Sequence, residues 1–216
     1  EATPVFEALP WNYELIFVND GSADASGQIL AELAAADPRV RVINFSRNFG
    51  HEAAMLAGLD HSSGEGIVCM DADLQHPPEC VAQIIEKFEE GYEVINMVRT
   101  KNKSAGFIKN LTSSAFYKFL NKISDVKLEN NASDFFALTA NAAQVLKTNY
   151  REKVRFLRGY VQNIGFNRTT IEYEARARVA GESKYSIRKL FKFSINTILC
   201  FSDLPLKLGI YSGIIV

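Results

Sequence analysis

Two aspartates spaced i and i+2, Asp71 and Asp73, follow directly on the apolar run Gly66-Ile67-Val68-Cys69-Met70, and Gln75 and the pair Pro77-Pro78 come after them. The run reads as a buried strand that carries an Asp-x-Asp pair to its carboxyl end. That edge of an open α/β sheet is where ligands bind. Residues just past a strand are released from the pleat, so the two carboxylates can converge instead of facing opposite sides of the sheet. Hard oxygen ligands on one or two carboxylates, with the rest of the shell left to water and substrate phosphates, suit Mg²⁺ or Mn²⁺. A lone Asp-x-Asp recurs by chance, so the surroundings have to decide what this one does.

The bulk numbers bound those surroundings. A chain of 216 residues with 47% hydrophobic content can bury one substantial core. Its formal net charge of -1 advertises no nucleic-acid partner. Cys69, Cys80 and Cys200 show no paired spacing and read as reduced, structural thiols of a cytosolic protein. Glu1 to Pro10 has neither the basic head nor the apolar core of a signal peptide, and both ends read as cut.

The elements that would position the aspartates follow from periodicity. Tyr13 to Val18 reads as a buried strand reached by a short irregular approach, and Asn19-Asp20-Gly21-Ser22 as a closing turn. Ser22 and Asp24 are N-cap candidates for a helix through Ala36. Arg39 to Phe45 predicts a second strand and His51 to Ser62 a helix with small residues suited to close packing. The Asp-x-Asp strand, a helix from Pro78 to Glu90 and a strand from Tyr92 to Val98 come next. Strands alternating with helices predict βαβ units and a mostly parallel sheet. Beyond Arg99 the pattern changes to a helix over Phe107 to Ile123, a short strand over Ser133 to Leu138, a helix over Asn141 to Lys147 and an edge strand over Gly165 to Tyr173. Ile187, Leu190, Phe191, Ile195, Ile198 and Phe201 then form an apolar stripe at helical spacing beside Arg188, Lys189 and Lys192, which suits a membrane interface. The apolar run Leu204 to Val216 is shorter than the roughly 20 residues that a spanning helix needs and reads as the start of a truncated membrane segment.

Five motifs occur in order: Val18-Asn19-Asp20-Gly21-Ser22; Ser46-Arg47-Asn48-Phe49-Gly50-His51-Glu52-Ala53-Ala54; Met70-Asp71-Ala72-Asp73-Leu74-Gln75-His76-Pro77-Pro78-Glu79; Ser133-Asp134-Phe135; and Arg178-Val179-Ala180-Gly181-Glu182-Ser183-Lys184-Tyr185-Ser186. From about Tyr13 to the end, the chain resembles glycosyltransferase family 2, specifically the polyprenyl-phosphate glycosyltransferases. The resemblance implies a GT-A fold of the α/β class with a mostly parallel central sheet. It also implies inverting transfer of a hexose from a nucleotide-diphosphate sugar to a polyprenyl phosphate, undecaprenyl or dolichyl, at the cytosolic membrane face. UDP-glucose is the expected donor, because the motif wording is nearest the bactoprenol glucosyltransferases. The expected layout is a catalytic domain over 1–185, an amphipathic interface helix over 186–203 and a truncated membrane segment over 204–216. The family begins with a strand that helps to hold the nucleotide and that is missing here. Where the family has an aspartate, this chain carries Asn19, and where it commonly has another it carries His76.

Roles follow from the resemblance and the residue types. Asn19 and Asp20 are expected at the base or ribose of the donor. Asp71, Asp73 and Gln75 would hold the metal, with Asp73 also counted as catalytic, to stabilise the departing diphosphate. Arg178, Ser183 and Lys184 would close over the same diphosphate, Arg as a bidentate fork and Lys as a point charge. A lipid phosphate is already anionic near neutral pH, so it needs cations and alignment more than a strong base. Arg99, Lys109 and Ser113 are the candidates to hold it, and Asp134 is a catalytic candidate to orient the nucleophile or a sugar hydroxyl. Membrane relatives can assemble through their helices, which leaves a homo-oligomer open. Rival readings are a family 2 enzyme with a soluble or glycan acceptor and a non-catalytic nucleotide-sugar-binding membrane module. A nucleotidyltransferase would want a Gly-rich phosphate loop after the first strand, and the chain has none there.

Overall fold

The computed structural model describes residues 2–100, 132–152 and 155–176, together with 195, 198, 202 and 204–215. Helix α1 (Ala2–Glu7) takes the place of the irregular approach expected ahead of the first strand. It is too short to hold itself. Phe6 packs on Tyr13 with ring centroids 5.5 Å apart, and Arg39 Nη2 reaches Glu7 Oε1 at 3.1 Å.

Strand β1 (Leu15–Asn19) pairs in parallel with β2 (Val40–Asn44), Leu15 opposite Val40 and Asn19 opposite Asn44. Helix α2 (Ser26–Ala36) makes the crossover. The N-cap position falls on Ala25 and not on Asp24 as expected, though Asp24 Oδ1, one residue earlier, accepts the Ser26 N–H at 3.0 Å. Ser22 stands three residues before the N-cap and belongs to the preceding turn, its N–H donating to Asn19 Oδ1 at 3.0 Å. The expectation of a buried first strand needs correction, since all five β1 residues are only half-buried. An apolar run does not report how many faces are covered, and β1 and β2 form a separate two-stranded sheet.

The second sheet has the order β3-β5-β4-β6, with β3 at Gly66–Cys69, β4 at Val94–Arg99, β5 at Ala132–Thr139 and β6 at Arg168–Tyr173. β5 runs antiparallel to β3 and β4, while β4 and β6 are parallel. Three of the four strands therefore share a direction around one reversed strand, and β6 lies at the edge as its alternation predicts. Helix α3 (His51–His61) packs on both β1 and β3 and so spans the two sheets. β3, expected to be buried, is half-buried from Ile67 to Cys69, with Gly66 exposed.

β5 is apolar on both faces and divides the core in two. Phe136 and Leu138 join Met55, Leu56 and Leu59 of α3, helix α5 (Ala140–Asn149) and helix α6 (Leu157–Asn163) on one side. Phe135 and Ala137 join Ile84 of helix α4 (Cys80–Glu89) with Ile95, Met97, Ile171 and Tyr173 on the other. α6 was not foreseen. It has a glycine inside it and little local signal, and Leu157, Tyr160 and Val161 enter the core, so burial overrides propensity. Cys69 and Cys80 are free thiols, as expected. Helix α7 (Leu204–Ile215) exposes Leu206, Ile210, Tyr211 and Ile214. Among the described residues no helix is long and apolar enough to cross a membrane. The helix expected over 107–123, most of the interface helix expected over 186–203, and Cys200 lie outside the described residues.

Candidate active site

The site builds up from the ends of β1, β2 and β3. β1 delivers Asn19, whose Nδ2 donates to Asn44 Oδ1 at 3.0 Å across the pair. The next residue, Asp20, accepts the N–H groups of Phe49 and Gly50 at 2.6 and 2.9 Å, one on each carboxylate oxygen. Its negative charge thereby anchors the loop that leads into α3. Gly21 lets that loop approach: its φ is +67°, and a Cβ there would lie 2.4 Å from the Arg47 carbonyl carbon. The side chains of Asn19 and Asp20, expected at the base or ribose, thus also build the cradle. Arg47 lies over the ring of Phe49, which is half-exposed, at 4.1 Å.

At the end of β3, Leu74 has φ +61°, the only non-glycine residue with positive φ among those described. A bulky side chain there is strained, and such strain gathers at functional sites. Asp73 Oδ1 accepts the Gln75 N–H at 3.1 Å and closes the turn around it. His76 is buried, stacked on Phe135 at 5.0 Å and edge-on to Tyr173 at 5.8 Å. Its Nδ1 accepts the Asp71 N–H at 2.9 Å, which puts the ring proton on Nε2. Burial lowers the pKa of His76 and keeps it neutral. In this chain the histidine supplies the backbone anchor of Asp71.

Asp71 lies between two imidazoles. His51 Nε2 is 3.7 Å from one carboxylate oxygen and His76 Nε2 3.8 Å from the other. His51 belongs to the α3 side of the sheet and His76 to the α4 side, so Asp71 straddles the edge. His51 Nε2 also stands 3.4 Å from Asp134 Oδ2, and that carboxylate raises the histidine's pKa. Asp134 is held by Arg158, Nε to Oδ1 at 2.9 Å and Nη2 to Oδ2 at 2.6 Å. Burial alone would push the Asp134 carboxyl up, but His51 and Arg158 outweigh it and hold it well below the usual carboxylate range. Glu52 next to His51 accepts the Leu157 N–H at 2.7 Å, and burial raises its pKa.

On the α4 side, Arg99 at the end of β4 lies opposite Tyr173 of β6. Arg99 Nε and the Tyr173 hydroxyl are buried without a hydrogen-bond partner among the described residues, which is costly unless a group outside the protein completes them. Arg176 donates from its backbone N–H to the Gln75 carbonyl at 3.3 Å and from its side chain to Glu79 at 2.8 Å, tying the chain after β6 to the Asp-x-Asp turn.

Of the residues expected from sequence, Asn19 ends β1 and Asp20 follows it, Asp71, Asp73 and Gln75 follow β3, Arg99 ends β4 and Asp134 lies near the start of β5. Lys109, Ser113, Arg178, Ser183 and Lys184 lie outside the described residues. His51, Glu52 and Arg158 carry no role in the sequence reading. The first two stand in one of the five motifs and open a helix, where an acid is favoured. Arg158 lies in a stretch with no periodic signal. Among the described residues no three His, Cys, Asp or Glu groups converge as a metal cage.

A parallel-rich α/β sheet with an acidic turn at its carboxyl edge is the architecture of the GT-A nucleotide-sugar transferases, and this chain has that fold. It belongs to glycosyl transferase family 2, whose model matches residues 5–144. The chain is 46% identical over 212 residues to the glycosyltransferase YkcC of Bacillus subtilis (strain 168), covering 98% of this chain and 65% of that protein. It is 38% identical over 224 residues to the bactoprenol glucosyl transferase of Shigella phage SfV, covering 100% of this chain and 73% of the relative. The chain thus spans less than two thirds of the Bacillus relative. Among solved structures it resembles glucosyl-3-phosphoglycerate synthase from Mycobacterium tuberculosis, in complex with Mn²⁺, UDP-glucose and phosphoglyceric acid. There the TM-score is 0.55 with 19% identity, over 86% of this chain and 66% of that one.

Proposed function

We propose that this chain is the catalytic part of a polyprenyl-phosphate hexosyltransferase that inverts the anomeric carbon and takes UDP-glucose as donor at the cytosolic face of a membrane. The observation that carries the reading is the treatment of the two central carboxylates. Asp134 is neutralised by a bidentate arginine, while Asp71 is anchored through its backbone and its oxygens have no ionic partner nearer than 3.7 Å among the described residues. One acid is positioned and the other is left available to a cation. The bactoprenol glucosyl transferase relative supports the lipid acceptor and the glucosyl donor. The Mn²⁺ and UDP-glucose held by the mycobacterial structure of the same fold support a divalent ion.

Asp71 and Asp73, with Gln75 beside them, would hold Mg²⁺ or Mn²⁺, which when bound supplies positive charge to a departing diphosphate. The rest is done by the chain's own groups. Asp20 fixes the loop that brings His51 to the edge. His76 fixes the direction of the Asp71 backbone. Arg99, with Nε buried and unpaired among the described residues, is the described cation suited to an acceptor phosphate that needs alignment more than deprotonation. The exposed apolar side chains Leu206, Ile210, Tyr211 and Ile214 of α7 support contact of that end with a membrane surface.

The test is transfer of labelled sugar from UDP-glucose, GDP-mannose and UDP-N-acetylglucosamine to undecaprenyl phosphate. It uses the full-length protein in membranes, with Mg²⁺ or Mn²⁺ against EDTA. Lipid-linked glucose that disappears with EDTA and with Asp73→Ala is the expected result. A folded protein that yields no product with any donor refutes the proposal.

A further inference from the structure

Two adjacent residues of α3 and two adjacent residues of α6 are interlocked around β5. Glu52, in the first turn of α3, accepts the Leu157 N–H at 2.7 Å. That N–H is one of those a helix's own ladder leaves open at its start, so Glu52 fixes where α6 begins. From the next position, Arg158 reaches β5 and grips Asp134 with both ends of its fork, at 2.9 and 2.6 Å. The two side chains are about four-fifths buried. His51, the neighbour of Glu52, approaches the same carboxylate at 3.4 Å and Asp71 at 3.7 Å. The segment that holds α6 in place is therefore the one that meets the Asp-x-Asp turn.

We propose that Arg158 is a positioning residue for sugar transfer, locking the Asp134 carboxylate in one orientation beside His51 and Asp71 from a helix that Glu52 fixes in place. The proposal rests on the transferase reading above. The fork occupies two of roughly four acceptor positions on the carboxylate and His51 approaches a third at 3.4 Å, which leaves about one to orient a substrate hydroxyl. It also balances a charge that would otherwise add to Asp71 and repel an incoming diphosphate. A lysine could supply the charge but could not fix the carboxylate plane.

The experiment measures kcat and donor KM for transfer to undecaprenyl phosphate by the full-length protein in membranes. Wild type, Arg158→Lys, Arg158→Met, Asp134→Asn and the double variant Asp134→Asn/Arg158→Met are compared. Arg158→Lys should lower kcat by about 30-fold or more with donor KM within about 3-fold, the pattern of a lost transition-state interaction. In the Asp134→Asn background, Arg158→Met should change kcat by less than about 3-fold, because nothing remains to be positioned. Full kcat in Arg158→Lys, or single-variant effects that multiply in the double variant, would overturn the proposal and leave the transferase reading standing. A wild type that transfers no sugar would overturn both. Arg158→Lys keeps the stem and the charge, so the comparison survives if Arg158→Met fails to fold.

Discussion

Replacing Gly21 by alanine tests whether the Asp20 anchor depends on a backbone contact that only glycine permits. At φ +67° a side chain costs about 1–2 kcal/mol in left-handed strain. The added Cβ would also meet backbone atoms, lying 2.4 Å from the Arg47 carbonyl carbon and 2.7 Å from the Asn48 nitrogen. Backbone cannot rotate aside, so the turn and the loop must separate by about an ångström to restore ordinary contact distances. Separation stretches the two charge-assisted bonds from Phe49 and Gly50 to Asp20, and each is worth about 1.5–3 kcal/mol. Losing even one brings the total to roughly 2.5–5 kcal/mol, a large part of a domain's stability. Gly91 provides the control: it also has positive φ, at +89°, but a Cβ there meets nothing within 4 Å, so alanine costs only the strain, about 1–2 kcal/mol. Urea denaturation of both variants should place Gly21→Ala at least about 1.5 kcal/mol below Gly91→Ala, the worth of one such bond. Equal losses would refute the claim that the turn and loop are held in contact, and with it the account of how His51 reaches the site.

Two further outcomes follow from the buried groups. His76→Phe keeps an aromatic ring against Phe135 but removes the acceptor of the Asp71 N–H, so it should cost about 1–3 kcal/mol for the orphaned donor, read by urea denaturation at fixed pH. Glu52 is the pH-sensitive group: burial raises its folded pKa above the ordinary value, so the native state keeps its proton to higher pH than the unfolded chain does. The stability it contributes is fully present below the ordinary carboxylate pKa of the unfolded chain and is lost as pH rises through the folded pKa. The loss amounts to about 1.4 kcal/mol for every pH unit that separates the two. Glu52→Gln should therefore gain on wild type as pH rises above the ordinary carboxylate pKa, and a difference that stays constant with pH would contradict the assignment.

Apart from α1 and α6, the order of the described strands and helices was legible in the sequence because each is marked locally, by an apolar run, a turn or a capping acid. The Asp-x-Asp turn was legible because its parts are neighbours in the chain. The interlock was not, because it joins residues far apart: Arg158 to Asp134 across 24 positions and Leu157 to Glu52 across 105. The half-burial of β1 was hidden for a related reason. Its apolar residues record what the strand can bury, whereas coverage depends on which elements the topology sets against it.

Asp71 owes its environment to two segments that the sheet keeps apart. On the α4 side, His76 is buried, neutral and committed to the Asp71 backbone, so it adds rigidity without charge. On the α3 side, His51 is half-exposed and its pKa is raised by Asp134, so positive charge is favoured where solvent and a ligand can reach it. Arg158 cancels the charge of Asp134 from behind. In the proposed transferase the charge left for a cation is that of Asp71, which has no ion pair among the described residues closer than the 3.7 Å approach of His51. Asp73 follows two positions later, on a turn that its own Oδ1 closes through the Gln75 N–H. A carboxylate left in that state attracts a divalent ion, and the ion in turn makes the edge hospitable to phosphate. The fold achieves this by committing His76 to the Asp71 backbone on one face and Arg158 to Asp134 on the other, so that neither takes up the Asp71 oxygens.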